Sequence, residues 1–104
     1  MTNNQSVQGK IYIRTGTYAG AALPVEDGLV IGSDPEQCQL IINDPDVERK
    51  HCRITYDEKK NLYYIETYSI SGVLKADGSV INQGYPVAMQ PGEQIRIGKN
   101  EMEF

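Results

Sequence analysis

Tryptophan is missing from the sequence, and its 104 residues hold only one phenylalanine, one histidine and two cysteines. Each shortage closes off a class of function. With His51 as the sole histidine, no two-histidine zinc site can form. At most Cys38, Cys52 and His51 could assemble with a carboxylate from elsewhere. A cysteine nucleophile would have to pair Cys38 with His51, because Cys52 is its chain neighbour and in a strand points to the opposite face. The first residues, Met1 to Gly9, are polar and lack the positive head and apolar run of a secretory signal. The cysteines therefore read as buried thiols and the expected location is cytoplasmic. No apolar run approaches the ~18 residues of a membrane span, so no membrane insertion is expected. Basic side chains number ten against fourteen acidic ones, a net charge of -4 without any basic run. This excludes the counterion-displacing surface that nucleic-acid binding needs. Asp44, Asp46 and Glu48 alternate as in a calcium loop, but Arg49 stands where the sixth loop position requires glycine. Gly32-Ser33-Asp34 lacks the lysine and the helix of a phosphate-cradling loop. No cofactor is expected, and no enzyme.

Turn formers are plentiful instead. Ten glycines and five prolines punctuate the chain so densely that the longest stretch free of both runs from Asp46 to Ser71. Within it, Cys52, Ile54 and Tyr56 share one side of a period-two pattern. The charged run Asp57 to Asn61 follows, and then Leu62 to Thr67. This is strand, turn, strand. The same alternation marks Lys10 to Arg14 and Gln94 to Ile97, while Leu29-Val30-Ile31 and Leu40-Ile41-Ile42 are β-branched runs bounded by turn formers. Asp27-Gly28, Ser71-Gly72, Asp77-Gly78 and Pro91-Gly92 mark turns. Short strands at near-regular spacing without a helix predict an all-β fold, an antiparallel sandwich of about 10–11 strands. A polar tail over residues 1–9 and one domain over residues 10–104 are expected. The alternating end, Glu101 to Phe104, reads as a last strand, and attachment to further domains is expected.

Gly32-Ser33, then Glu48-Arg49-Lys50-His51, then Ser71-Gly72 and finally Pro91-Gly92-Glu93-Gln94-Ile95-Arg96-Ile97-Gly98 stand in an order that resembles the forkhead-associated (FHA) domain family. The resemblance runs from about Lys10 to Phe104. It implies an eleven-stranded β-sandwich whose apical loops bind phosphothreonine peptides: a non-enzymatic module of protein interaction and signalling. The family's usual motifs are Gly-Arg after the third strand, Ser-Arg-x-His before the fifth and Asn-Gly after the sixth. Gly32, Arg49, His51 and Gly72 match them. Ser33 stands in place of the arginine, Glu48 in place of the phosphate-binding serine, and Ser71 in place of the asparagine that holds the peptide backbone. By this resemblance the ligand-binding positions are Ser33, Glu48, Arg49, Lys50 and Ser71, supported by Gly32, His51 and Gly72, with His51 bracing a loop.

The three replacements act in one direction. A phosphothreonine carries about -1.5 to -2 charges, and losing an arginine's charge-assisted hydrogen bond removes roughly 1.5–3 kcal/mol. A carboxylate about 4 Å from the phosphate would add repulsion of several kcal/mol at an effective dielectric of ~20. The two loops flanking the fourth strand carry Asp34, Glu36, Asp44, Asp46 and Glu48 against Arg49 and Lys50. The sequence thus predicts an interaction module with weak or lost phosphothreonine recognition, its partner a protein or peptide. Two alternatives stand beside it. One is a rearranged pocket in which Ser33, Arg49, Lys50 and Ser71 donate to phosphothreonine while Glu48 turns to solvent. The other is a scaffold domain that packs on a neighbouring domain or on itself. Tyr63, Tyr64 and Tyr68 precede the ligand loop as half-buried sheet residues, one of which could touch a peptide.

Overall fold

The computed structural model describes residues 9–104, and none of them is helical. Apart from Gly9, the expected polar tail lies outside the described residues. Gly9 itself opens the first strand, and its lack of a side chain lets the Tyr56 and Tyr63 rings lie against the backbone. Eleven strands follow in order: β1 Gly9–Ile13, β2 Ala22–Val25, β3 Leu29–Gly32, β4 Leu40–Ile41, β5 Cys52–Asp57, β6 Leu62–Thr67, β7 Val73–Lys75, β8 Val80–Ile81, β9 Val87–Met89, β10 Gln94–Ile97 and β11 Asn100–Glu103.

They form two sheets, one of six strands ordered β2-β1-β11-β10-β7-β8 and one of five ordered β4-β3-β5-β6-β9. The predicted sandwich is the fold. Its pairing is antiparallel except at one place, where β4 lies parallel to β3 with Ile31 opposite Leu40. Cys38 and Cys52 are buried free thiols.

Period-two patterning decides which side chains meet between the sheets. Ile11 and Ile13 from β1, Ile95 and Ile97 from β10 and Met102 from β11 face Ile31, Ile54, Ile65 and Met89 from the other sheet, and all are buried. Pairing Ile54 with Ile65 and Cys52 with Thr67 puts both core rows of the β5–β6 hairpin on one face. Its turn needs a left-handed residue, which Asn61 supplies at φ 52°, and Asp57 Oδ1 accepts the amide of Lys59. The loops that follow β3, β4 and β6 come together at one end of the sandwich.

Candidate functional site

The loop after β3 and the loop before β5 run side by side. Ser33 and Asp34 donate their amides to the carbonyls of Glu48 and Arg49 at 3.0 and 3.1 Å. Gly32 permits this approach, because a Cβ there would run into the Arg49 carbonyl and the Cys38 thiol. The thiol donates to the same carbonyl at 3.1 Å, and burial pushes it up from the ordinary thiol range.

Each loop is also stiffened from within. Asp34 accepts the Glu36 amide and the Gln37 side-chain amide, and these hydrogen bonds, Gln37's first, hold its carboxyl below the ordinary carboxylate range. Asp44 accepts the Asp46 amide, and buried Val47 anchors the segment to the core. Gly98, between β10 and β11, leaves room for Asp44 and Asp46 above it.

His51 joins this pair of loops to the one after β6. Its Nδ1 accepts the Glu48 amide at 3.1 Å, which places the ring proton on Nε2, and Nε2–H donates to the Gly72 carbonyl at 2.9 Å. The His51 carbonyl accepts the amides of Tyr68 and Ser69. Fully buried and bonded at both nitrogens, the ring ties the loops together, and neither nitrogen is left to activate a cysteine.

Glu48 turns inward. Its Oε2 accepts the hydroxyls of Ser69 at 2.7 Å and Ser71 at 3.1 Å, and it lies 3.5 Å from the Ser71 amide. The Ser71 amide is also 3.1 Å from Ser69 Oγ. These hydrogen bonds, Ser69's first, hold the Glu48 carboxyl below its usual range, so it is ionised at neutral pH. The alternative with Glu48 turned to solvent is not the arrangement seen. A small nest of donors surrounds an anion supplied by the chain itself.

The other candidates divide. Gly72 has φ 80°, and a Cβ on it would strike Val80 Cγ1 at 2.6 Å, so glycine is required there on two counts. Ser33 contributes through its backbone, and Arg49 through its carbonyl while its side chain is exposed. The Lys50 ammonium sits 4.3 Å from the centre of the Tyr68 ring, a cation–π contact that draws it away from Glu48's partners. The structure therefore brings Glu48, His51, Ser71 and Gly72 into one cluster and leaves the Ser33, Arg49 and Lys50 side chains outside its hydrogen bonds.

Sequence reasoning missed Ser69, which is fully buried and gives Glu48 its shortest bond. The signal was the Ser69-Ile70-Ser71 pair of hydroxyls just before the turn glycine Gly72. Of the tyrosines, Tyr63 belongs to the core between Tyr56 and Phe104, at 4.8 and 5.0 Å between ring centres. Among the described residues, no cluster of three metal-ligating side chains occurs.

The model of the FHA domain family matches residues 29–98, which contain every loop of this cluster. The chain belongs to the FHA domain family. FHA domains are phosphopeptide-binding, protein-interaction modules rather than enzymes. A search among curated proteins finds no match. Solved structures agree on the fold. The FHA domain of the CT664 protein from Chlamydia trachomatis superposes with a TM-score of 0.79 at 19% identity, over 93% of this chain and 95% of that one. The FHA domain of an Arabidopsis thaliana hypothetical protein gives 0.77 at 18%, over 98% and 89%. Mycobacterium tuberculosis EmbR, solved in complex with a low affinity phosphopeptide, gives 0.77 at 24%, over 100% of this chain and 26% of EmbR.

Proposed function

We propose that this FHA domain is a non-enzymatic docking module that engages a protein partner through its apical loops with phosphothreonine recognition weakened or lost. The observation that supports this reading is the Glu48 carboxylate bound to both loop serines. A ligand phosphate seeking those donors meets a fixed negative charge, and the hydroxyls it would use are already engaged. Ser33 in the arginine position withholds the compensating bidentate cation, and Lys50 is committed to Tyr68.

The test is a titration of a labelled degenerate phosphothreonine peptide library against its unphosphorylated counterpart. Equal signals are expected. Phosphate-dependent saturation would instead assign the domain to ordinary phosphothreonine reading in a rearranged pocket. The double substitution Ser33→Arg with Glu48→Ser frees the hydroxyls and adds a guanidinium, and should raise phosphothreonine affinity at least tenfold, by roughly one charge-assisted hydrogen bond. No gain would mean that the pocket has diverged beyond these two positions.

A further inference from the structure

Five large apolar side chains are exposed among the described residues, and three of them, Ile70, Val80 and Tyr85, belong to the stretch from the β6–β7 loop to the crossover before β9. Ile70 and Tyr85 are 84% and 92% exposed, and the Ile70 backbone is the one held in place. Ile70 stands between Ser69 and Ser71, both held by Glu48. Val80 covers Gly72 two residues further on, and Gln83 donates its side-chain amide to the Tyr68 carbonyl at 2.7 Å, tying the crossover to the same loop. Glu48 thus stabilises the loop from inside, the role a bound anion would otherwise fill, and the fixed loop holds an isoleucine out into water. An exposed aliphatic side chain on a pre-organised loop is the form of an interface anchor, because little ordering entropy is left to lose on docking.

Charge selects the occupant. The neighbouring loops carry Asp34, Glu36, Asp44, Asp46 and Glu48 against Arg49 and a Lys50 drawn onto Tyr68. We propose that Ile70, together with Val80 and Tyr85 on the segments that Gly72 and Gln83 tie to the same loop, is the anchor surface for an unphosphorylated protein segment that presents an aliphatic side chain flanked by lysine or arginine. The apolar centre would bury the anchor and the acidic rim would steer the basic flanks. This rests on the reading of the domain as a phosphate-independent docking module and names the chemistry of its partner.

The experiment is methyl and amide NMR of the full chain titrated with three probes. They are a short unphosphorylated peptide with a central leucine flanked by lysines, the same peptide with glutamates for lysines, and the phosphothreonine library. The lysine-flanked peptide should shift the Ile70 and Val80 methyls and the Tyr85 ring, whereas the glutamate-flanked one should not. Ile70→Ala should weaken the lysine peptide about tenfold, as the loss of one buried aliphatic side chain implies. Tyr12→Ser, on β1 across the six-stranded sheet from β8, should leave it unchanged. The inference is overturned by unshifted Ile70 methyls, by equal binding of the glutamate peptide, or by full affinity in Ile70→Ala with an otherwise native spectrum. Phosphate-dependent saturation at the Ser33, Arg49 and Ser71 amides overturns the underlying reading, whatever the lysine peptide does.

Discussion

Glu48 shows how one side chain can couple a loop's geometry to solution pH. Its carboxyl is held below the ordinary glutamate range by the serine hydroxyls, Ser69's first, and that of Asp34 below the ordinary aspartate range by the Gln37 and Glu36 amides. A depressed carboxylate contributes stability that is complete above the unfolded pKa and is lost as pH falls through the folded one, because the unfolded chain then binds more protons. Urea midpoints should therefore fall steadily from about pH 5 downward. Glu48→Gln, which keeps an acceptor for Ser69 but cannot ionise, should flatten that decline without removing it, since Asp34 remains. An unchanged pH profile in the variant would show that the Glu48 bonds do not persist in solution. Gly32 presents the opposite case, in which any side chain is too much. A Cβ there would lie 2.9 Å from the Cys38 sulfur and 2.7 Å from the Arg49 carbonyl carbon. Gly32→Ala should cost about 1–3 kcal/mol, read as a lower denaturation midpoint at unchanged slope.

At the scale of elements, the apical end is three loops tied by one imidazole, and the sequence made part of this legible. Gly32, Arg49, His51 and Gly72 could be placed because each matches a family motif. The inward turn of Glu48 could not, because it depends on Ser69 reaching the site from the loop after β6, and alternation alone does not say which loop meets which. The short strands divided in the same way. β5, β6 and β10 carry alternation long enough to read, and β4 announced itself as the β-branched run Leu40-Ile41-Ile42, whereas β8 has two residues and β2 contains Pro24, which a sheet tolerates at its edge. The parallel β3–β4 pair escaped as well, since nothing in a two-residue run records direction. Removing the tie should show its weight. His51→Ala leaves the Glu48 amide and the Gly72 carbonyl unpaired around a new cavity, for an expected loss of roughly 2–5 kcal/mol. Amide hydrogen exchange of Glu48 should accelerate beyond that of the β5 amides, which places the damage in the loop rather than in the whole sheet.

Across the whole molecule, the two sheets are joined by the first and last described strands as much as by the middle of the chain. The family match over residues 29–98 leaves out β1, β2 and β11, yet β11 lies between β1 and β10 within the six-stranded sheet. The alternation of Ile11 with Ile13 and the ending Glu101-Met102-Glu103-Phe104 pointed to both strands in the sequence, though not to their pairing. Tyr63 shows what they accomplish together. It projects from β6 of one sheet, accepts the Lys10 amide of the other sheet on its hydroxyl at 2.9 Å, and packs its ring against Phe104 beyond β11. The Phe104 backbone is pinned in turn, donating to the Glu93 carbonyl and accepting the Gly92 amide. Phe104→Ala would empty the space beside Tyr63 where both sheets meet, at an expected cost of about 3–5 kcal/mol. Against a total of roughly 5–15 kcal/mol for a domain of this kind, that is a large fraction. Because the contact spans the sheets, unfolding followed by tyrosine fluorescence and by far-UV circular dichroism should shift to lower denaturant together and remain one coincident transition. Separated transitions would show that the sheets unfold independently and that the Tyr63–Phe104 contact does not make the sandwich cooperative.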